Sequence, residues 1–264
     1  MTPRYSRALS AIALTGAAGL VLAGCGQAPE ESNGGNAEAK DFKGCIVSDD
    51  GGFQDRSFNQ ASFEGLKAVE DKLEITVRDA ESQAETEFEP NLTAMAQEGC
   101  DLTVSVGFLL ADTTKKVAEA NPDKHFAIVD DQSIEADNVK PIVYNTAEAA
   151  FLAGYLAAGA SETGKVATYG GMDIPTVTVF MDGFSDGVDY YNEQKDENVE
   201  VLGWNKDSQN GTFLTSFQDS SRAKTVTQNL IGDGADVVLP VAGQAAQAPW
   251  TPCPRPTMAA TTCG

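Results

Sequence analysis

The sequence predicts an α/β protein of two successive lobes, each on a doubly wound parallel sheet, with the second lobe incomplete. Three observations predict it. Short apolar runs alternate with longer stretches whose apolar residues recur at helical spacing. The alternation begins at Lys43 and begins again after residue 145. It stops abruptly after Gln244.

In order, Gly44-Cys45-Ile46-Val47-Ser48 reads as a buried strand, followed by a polar, glycine-containing loop over 49–57. Asn59 to Lys72 predicts an amphipathic helix with Phe63, Leu66 and Val69 on one face. Ile75 to Arg78 is a second strand. Glu85 to Glu98 is a second helix, with Leu92, Met95 and Ala96 inward and Gly99 ending it. Leu102 to Val106 is a third strand, opening into Gly107-Phe108. Ala111 to Asn121 is a third helix, stopped by Asn121-Pro122. His125 to Val129 is a fourth strand, ending at Asp130-Asp131. Ile142-Val143-Tyr144 reads as a short strand placed to cross into the second lobe.

That lobe runs as an Ala-rich helix (147–160), a strand over 165–169 leading into Gly170-Gly171, a helix (176–191), a strand (199–204), a helix (221–231) and a strand (235–239). The expected lobes are therefore 41–145 and 146–244, with a cleft and a hinge between them. Residues 245–264 have no periodicity and hold Pro249, Pro252, Pro254, Pro256, Cys253 and Cys263. They are expected to be unstructured. One reading is a reading frame lost near Gln244, with the last β-α units missing; the other is a genuine Pro-rich tail.

The N-terminus carries an address. Arg4 and Arg7 precede an apolar stretch from Ala8 to Leu22, and Leu22-Ala23-Gly24-Cys25 follows. Residues 1–24 read as a secretory signal with a small-residue cleavage site, too short and too rich in Gly and Ala for a comfortable membrane span. Leu-Ala-Gly-Cys resembles the bacterial lipobox, in which the cysteine thiol takes diacylglycerol. The alternative is an ordinary signal with an incidental cysteine. Acyl chains on Cys25 hold a protein at a membrane by about 0.8 kcal/mol per buried CH₂. After Cys25, residues 26–40 are mostly Gly, Asn, Ser, Glu and Ala with one Pro, so 25–40 reads as a flexible tether. The expected location is the outer face of a bacterial cell membrane, reached through the lipid anchor alone.

The charge excludes several classes. Over 264 residues, Asp+Glu 39 against Lys+Arg 18 leaves −21. Nucleic acid needs a basic face, and anionic lipid would repel this surface. The charge reads as a solvated acidic surface. The chain has one histidine, His125, and no CxxC, so no zinc or other metal site is expected. No nucleophile–base–orienter set appears, so an enzyme is not expected. No GxxxxGK[ST] loop occurs, and no cofactor is expected. Cys45 and Cys100 each sit at the opening of a predicted strand. Adjacent parallel strands would bring them within disulfide reach in an oxidising compartment; two unpaired buried thiols are the other reading.

In parallel α/β sheets ligands meet the carboxyl ends of the strands. That places Asp49, Phe58, Gly107, Phe108, Asp130 and Gly170-Gly171 near the cleft. An aromatic at a helix start stacks on a flat ligand, and a carboxylate accepts its N–H or O–H protons. Phe58 also fits a hydrophobic staple, Asp130 a solvated strand end, and Gly51-Gly52 a plain turn.

The stretch Ser48-Asp49-Asp50-Gly51-Gly52-Phe53-Gln54-Asp55-Arg56-Ser57-Phe58-Asn59-Gln60 resembles the first-strand signature of the basic membrane protein family, the substrate-binding lipoproteins of ABC transporters that include purine-nucleoside-binding members. Further matches are Glu89-Pro90-Asn91-Leu92, Val106-Gly107-Phe108-Leu109, Phe126-Ala127-Ile128-Val129-Asp130, Phe151-Leu152-Ala153-Gly154-Tyr155 and Gly170-Gly171-Met172-Asp173-Ile174-Pro175, continuing to Phe184. The resemblance spans about residues 43 to 244 in order. It implies the type I periplasmic-binding fold, a nucleoside held between the lobes, and ABC permease subunits as partners. By resemblance, Asp49 and Asn59 are polar contacts of the ligand. Phe58 stacks on the base, Asp130 bonds the base edge, Phe180 is the second stacking wall, and Gly243 approaches the ribose. Family members continue with another β-α unit, a Val-Asp strand end whose Asp grips ribose hydroxyls, a return strand and a later Lys; these are absent here.

Overall fold

A computed structural model describes residues 41–247. The expected signal, Cys25 and the tether lie outside these residues, as do positions 248–264 of the expected tail.

The first lobe is built from β1 (Lys43–Val47), α1 (Phe58–Leu73), β2 (Thr76–Ala80), α2 (Phe88–Gln97), β3 (Leu102–Val106), α3 (Ala111–Ala120), β4 (His125–Val129) and β5 (Val139–Ile142). Its sheet has the order β2-β1-β3-β4-β5, and every pairing is parallel. Alternate residues of β1 serve opposite faces. Cys45 and Val47 pack with Phe88, Leu92, Phe126 and Ile128, whereas Ile46 packs with Phe53, Val106 and Phe58. A parallel sheet covered on both faces needs such unbroken apolar runs, and each buried side chain contributes about 1.5–3 kcal/mol. Because β1 and β3 are neighbours, with Gly44 opposite Leu102, Cys45 and Cys100 come together. They form a disulfide with their Cα atoms 5.9 Å apart.

The second lobe contains α4 (Thr146–Ala160), β6 (Lys165–Gly170), α5 (Pro175–Lys195), β7 (Glu200–Leu202), β8 (Trp204–Asn205), β9 (Asn210–Gly211), α6 (Ser220–Gly232) and β10 (Val237–Val241). Its parallel sheet runs β10-β6-β7. Helices α4 and α5 lie backbone to backbone. A methyl group on Gly154 would run into the carbonyl of Phe184, and one on Gly183 or Gly187 into those of Ala147 or Phe151. Small residues at these crossings let the helices cover one face of the sheet, where Ala157, Val166, Phe184 and Val188 are buried together.

Four expectations change. The strand expected over 142–144 is β5, three residues earlier; it pairs with β4 and does not enter the second lobe. Pro141 fits there because an edge strand tolerates a missing N–H, and Val143 and Tyr144 are exposed linker residues. The strand expected over 199–204 breaks at Gly203, whose φ is +82°, and its end turns into the antiparallel β8–β9 hairpin. The second helix begins as a 3₁₀ turn over Glu85–Glu87 before α2. The segment expected to be unstructured from 245 starts instead with the 3₁₀ turn Gly243–Gln247. It is anchored by fully buried Ala245, whose N–H donates to the Phe217 carbonyl at 2.7 Å.

Candidate functional site

Four strand ends of the two sheets open on one cavity of about 290 Å³. The first lobe contributes Asp49 after β1, Phe58 and Asn59 at the start of α1, Gly107 and Phe108 after β3, and Asp130 after β4. The second contributes Ile174, Val177 and Phe180 from α5 and its approach, Phe217, and the segment 239–244 with Gly243. Asp49, Phe58, Asn59, Asp130, Phe180 and Gly243 all line this one cavity. Gly170 and Gly171 do not; they leave room for the rings of Phe213 and Phe217, the latter itself part of the lining.

The start of α1 organises the first-lobe wall. Ser57 does not cap the helix with its side chain; buried Asp55 does. Asp55 Oδ1 accepts from the backbone N–H of Ser57 (2.8 Å) and Gln60 (3.0 Å), and Oδ2 from that of Asn59 (3.0 Å). A carboxylate here satisfies the free N–H groups of the first turn. The Asn59 side-chain amide donates to Asp49 Oδ1 at 2.6 Å and to Asp55 Oδ2 at 3.2 Å. Its Oδ1 accepts the Asp49 N–H at 3.3 Å. Both amide protons of Asn59 are therefore engaged within the protein, and this side chain positions Asp49.

Asp49 Oδ1 also accepts from the Gly51 N–H at 3.3 Å, whereas Oδ2 receives no hydrogen bond from the described residues. Oδ2 faces Gly107, where a Cβ would lie 2.7 Å from it. Gly107 also has φ +102°, so both space and backbone require glycine. Burial raises the Asp49 carboxyl to about 6, against the lowering effect of the Asn59 bond. Asp130 stands at φ +63°, a conformation that a non-glycine residue holds only when its surroundings enforce it. Burial first, and neighbouring Asp131 second, raise its carboxyl to about 6. The cavity lining holds four carboxylates and no Lys, Arg or His. This arrangement offers an aromatic ring from each lobe and hydrogen-bond acceptors at the strand ends.

Among the lining residues, Asp55 is legible as a cap, an Asp shortly before a helical run. Phe217 sits in an aperiodic loop and carries no sequence signal.

The profile of the Bmp family, "ABC transporter substrate-binding protein PnrA-like", matches residues 42–249. The chain belongs to the Bmp family. It is 33% identical over 240 residues to the ABC transporter nucleoside-binding protein BmpA of Lactococcus lactis subsp. cremoris, covering 89% of this chain and 64% of that protein. It is 30% identical over 228 residues to an uncharacterised lipoprotein of Pyrococcus abyssi, covering 84% of this chain and 54% of the relative. A solved ABC-transporter solute-binding protein of Aeropyrum pernix superposes with a TM-score of 0.68 at 30% identity, covering 77% of this chain and 56% of that one. Like that solute-binding protein, the chain has the type I periplasmic-binding fold. It spans under two thirds of the length of each of these relatives. No helix among the described residues is long and apolar enough to cross a membrane.

Proposed function

We propose that this Bmp-family chain is a receptor that captures a nucleoside, of the purine kind, between its lobes and presents it to ABC permease subunits. Closure of the lobes on the ligand is the working step, and no catalysis is required. The observation that carries the reading is the composition of the cavity lining. Phe58 and Phe180 offer one ring from each lobe, Asp49 and Asp130 offer acceptors, and no cation is present. A flat heterocycle gains from the rings, and its N–H groups and ribose hydroxyls donate to the carboxylates. In this reading Asp130 meets the base edge, Asp49 a polar group of the ligand, and Gly243 the sugar. A phosphate is disfavoured because nothing in the lining neutralises it.

The same reading places the protein on the outer face of a membrane through lipid on Cys25, supported by the Leu22-Ala23-Gly24-Cys25 sequence and by the lipoprotein name of the Pyrococcus relative. A thermal-shift screen with guanosine, inosine, adenosine, ribose and simple sugars tests the ligand class. Stabilisation by nucleosides is expected; stabilisation by sugars and not by nucleosides refutes it. Metabolic labelling with palmitate, lost in Cys25→Ser, tests the anchor.

A further inference from the structure

Among the described residues the chain passes between the lobes once, through positions 143–145 between β5 and α4. Non-covalent contacts between the described parts of the two lobes therefore help to set the angle between them. Two such contacts stand at opposite ends of one loop. Gln218, just ahead of α6, donates its Nε2–H to the Asp50 carbonyl. Gln247, at the end of the 3₁₀ turn, donates through Nε2 to the Arg56 carbonyl at 2.6 Å. Both donors belong to the second lobe and both acceptors to the 49–57 loop of the first.

That loop carries Asp49 and Asp55 and leads into Phe58. The Arg56 peptide is held on both sides, since its N–H donates to Gln60 Oε1 at 3.1 Å. Neither glutamine lines the cavity. Each nonetheless sits beside the second-lobe wall: Gln218 follows Phe217, and Gln247 closes the turn that begins at Gly243. The acceptors are two backbone carbonyls and, beside Gln218, the Asp50 carboxylate; all belong to the 49–57 loop, so the contacts depend on the position of that loop.

We infer that Gln218 and Gln247 are positioning residues that form a two-point latch over the cavity. The bonds exist only while the lobes are together, so they slow release of the bound ligand without recognising it. The inference rests on the receptor reading above. Its signature is a loss of retention that is the same for every ligand. A neutral hydrogen bond of typical strength sets the size: Gln218→Ala and Gln247→Ala each raise the dissociation rate about fivefold, and together about 25-fold if the two add. Association rates and the preference between ligands stay as they were. Gln218→Met keeps the length of the side chain and removes the donor without adding charge beside Asp50, so it reproduces the alanine effect without a large packing change.

The test uses the full chain in detergent, with dissociation rates of inosine and guanosine measured for the native protein and the variants. Hydrogen–deuterium exchange of the ligand-free proteins is recorded alongside. An equal rise in dissociation for both nucleosides is expected. Faster exchange is also expected on both cavity walls of the double variant, at 49–57 and 107–109 as well as 174–180 and 241–243. The latch is overturned by a rise for one nucleoside only, which would make the glutamines recognition residues. It is equally overturned by faster exchange confined to 49–57, or by no change. If the native chain binds neither nucleoside, the ligand reading fails, and the exchange pattern alone decides the latch.

Discussion

Asp49 is held at a point where its charge is costly. One oxygen is fixed by Asn59 and Gly51, the other is left toward the cavity beside Gly107, and the carboxyl is raised to about 6. Gly107→Ala forces a Cβ to within 2.7 Å of that free oxygen at a φ of +102°. The expected results are a loss of about 1–3 kcal/mol in urea unfolding and abolished ligand binding, read by the same thermal-shift screen. Asp49 and Asp130 also set a pH dependence. Both titrate near 6 when folded against the usual 3.8, so the folded chain holds these protons more tightly than the unfolded one. Their contribution to stability is full below about 3.8 and disappears as pH rises through about 6. The Asp49→Asn/Asp130→Asn variant is therefore expected to lose less stability than the native chain between about pH 4 and pH 7, by urea melts. Binding has the opposite sign. A ligand that donates to an ionised carboxylate binds about tenfold more weakly at pH 5 than at pH 7 for each carboxylate engaged, by calorimetry.

At the scale of elements, the β1–β3 pairing and the Cys45–Cys100 bond hold the sheet that presents Asp49. The bond spans 55 residues, which corresponds to about 4 kcal/mol in the chain-entropy account. Cys45→Ala/Cys100→Ala is expected to lower unfolding free energy by roughly that amount, checked in urea; an unchanged midpoint would contradict it. Elements with a strong period are legible in the sequence: β1, β3 and β4 as apolar runs, α1 to α6 by their spacing. Those missed were short or punctuated. β8 and β9 have two residues each, too few to show alternation, and β5 contains Pro141. In the site, strand-end carboxylates and the aromatic at a helix start were legible because fold and ligand position are linked. The cap by Asp55 hid that Asn59 is engaged within the protein, and Phe217 arrives from a loop with no pattern.

For the whole molecule, two parallel sheets bring their strand ends to one cavity whose lining is apolar and acidic. The chain as a whole is acidic too, at −21, so neither the approach nor the cavity favours an anionic ligand. The central claim is that this cavity takes a nucleoside. The most direct test is titration calorimetry at about pH 7 with guanosine, guanosine monophosphate and ribose on the native chain and on Phe58→Ala. Guanosine is expected to bind, the monophosphate and ribose not to compete with it, and Phe58→Ala to weaken guanosine at least tenfold through the lost stacking. Binding of the monophosphate as tight as that of guanosine, or unchanged affinity in Phe58→Ala, would contradict it.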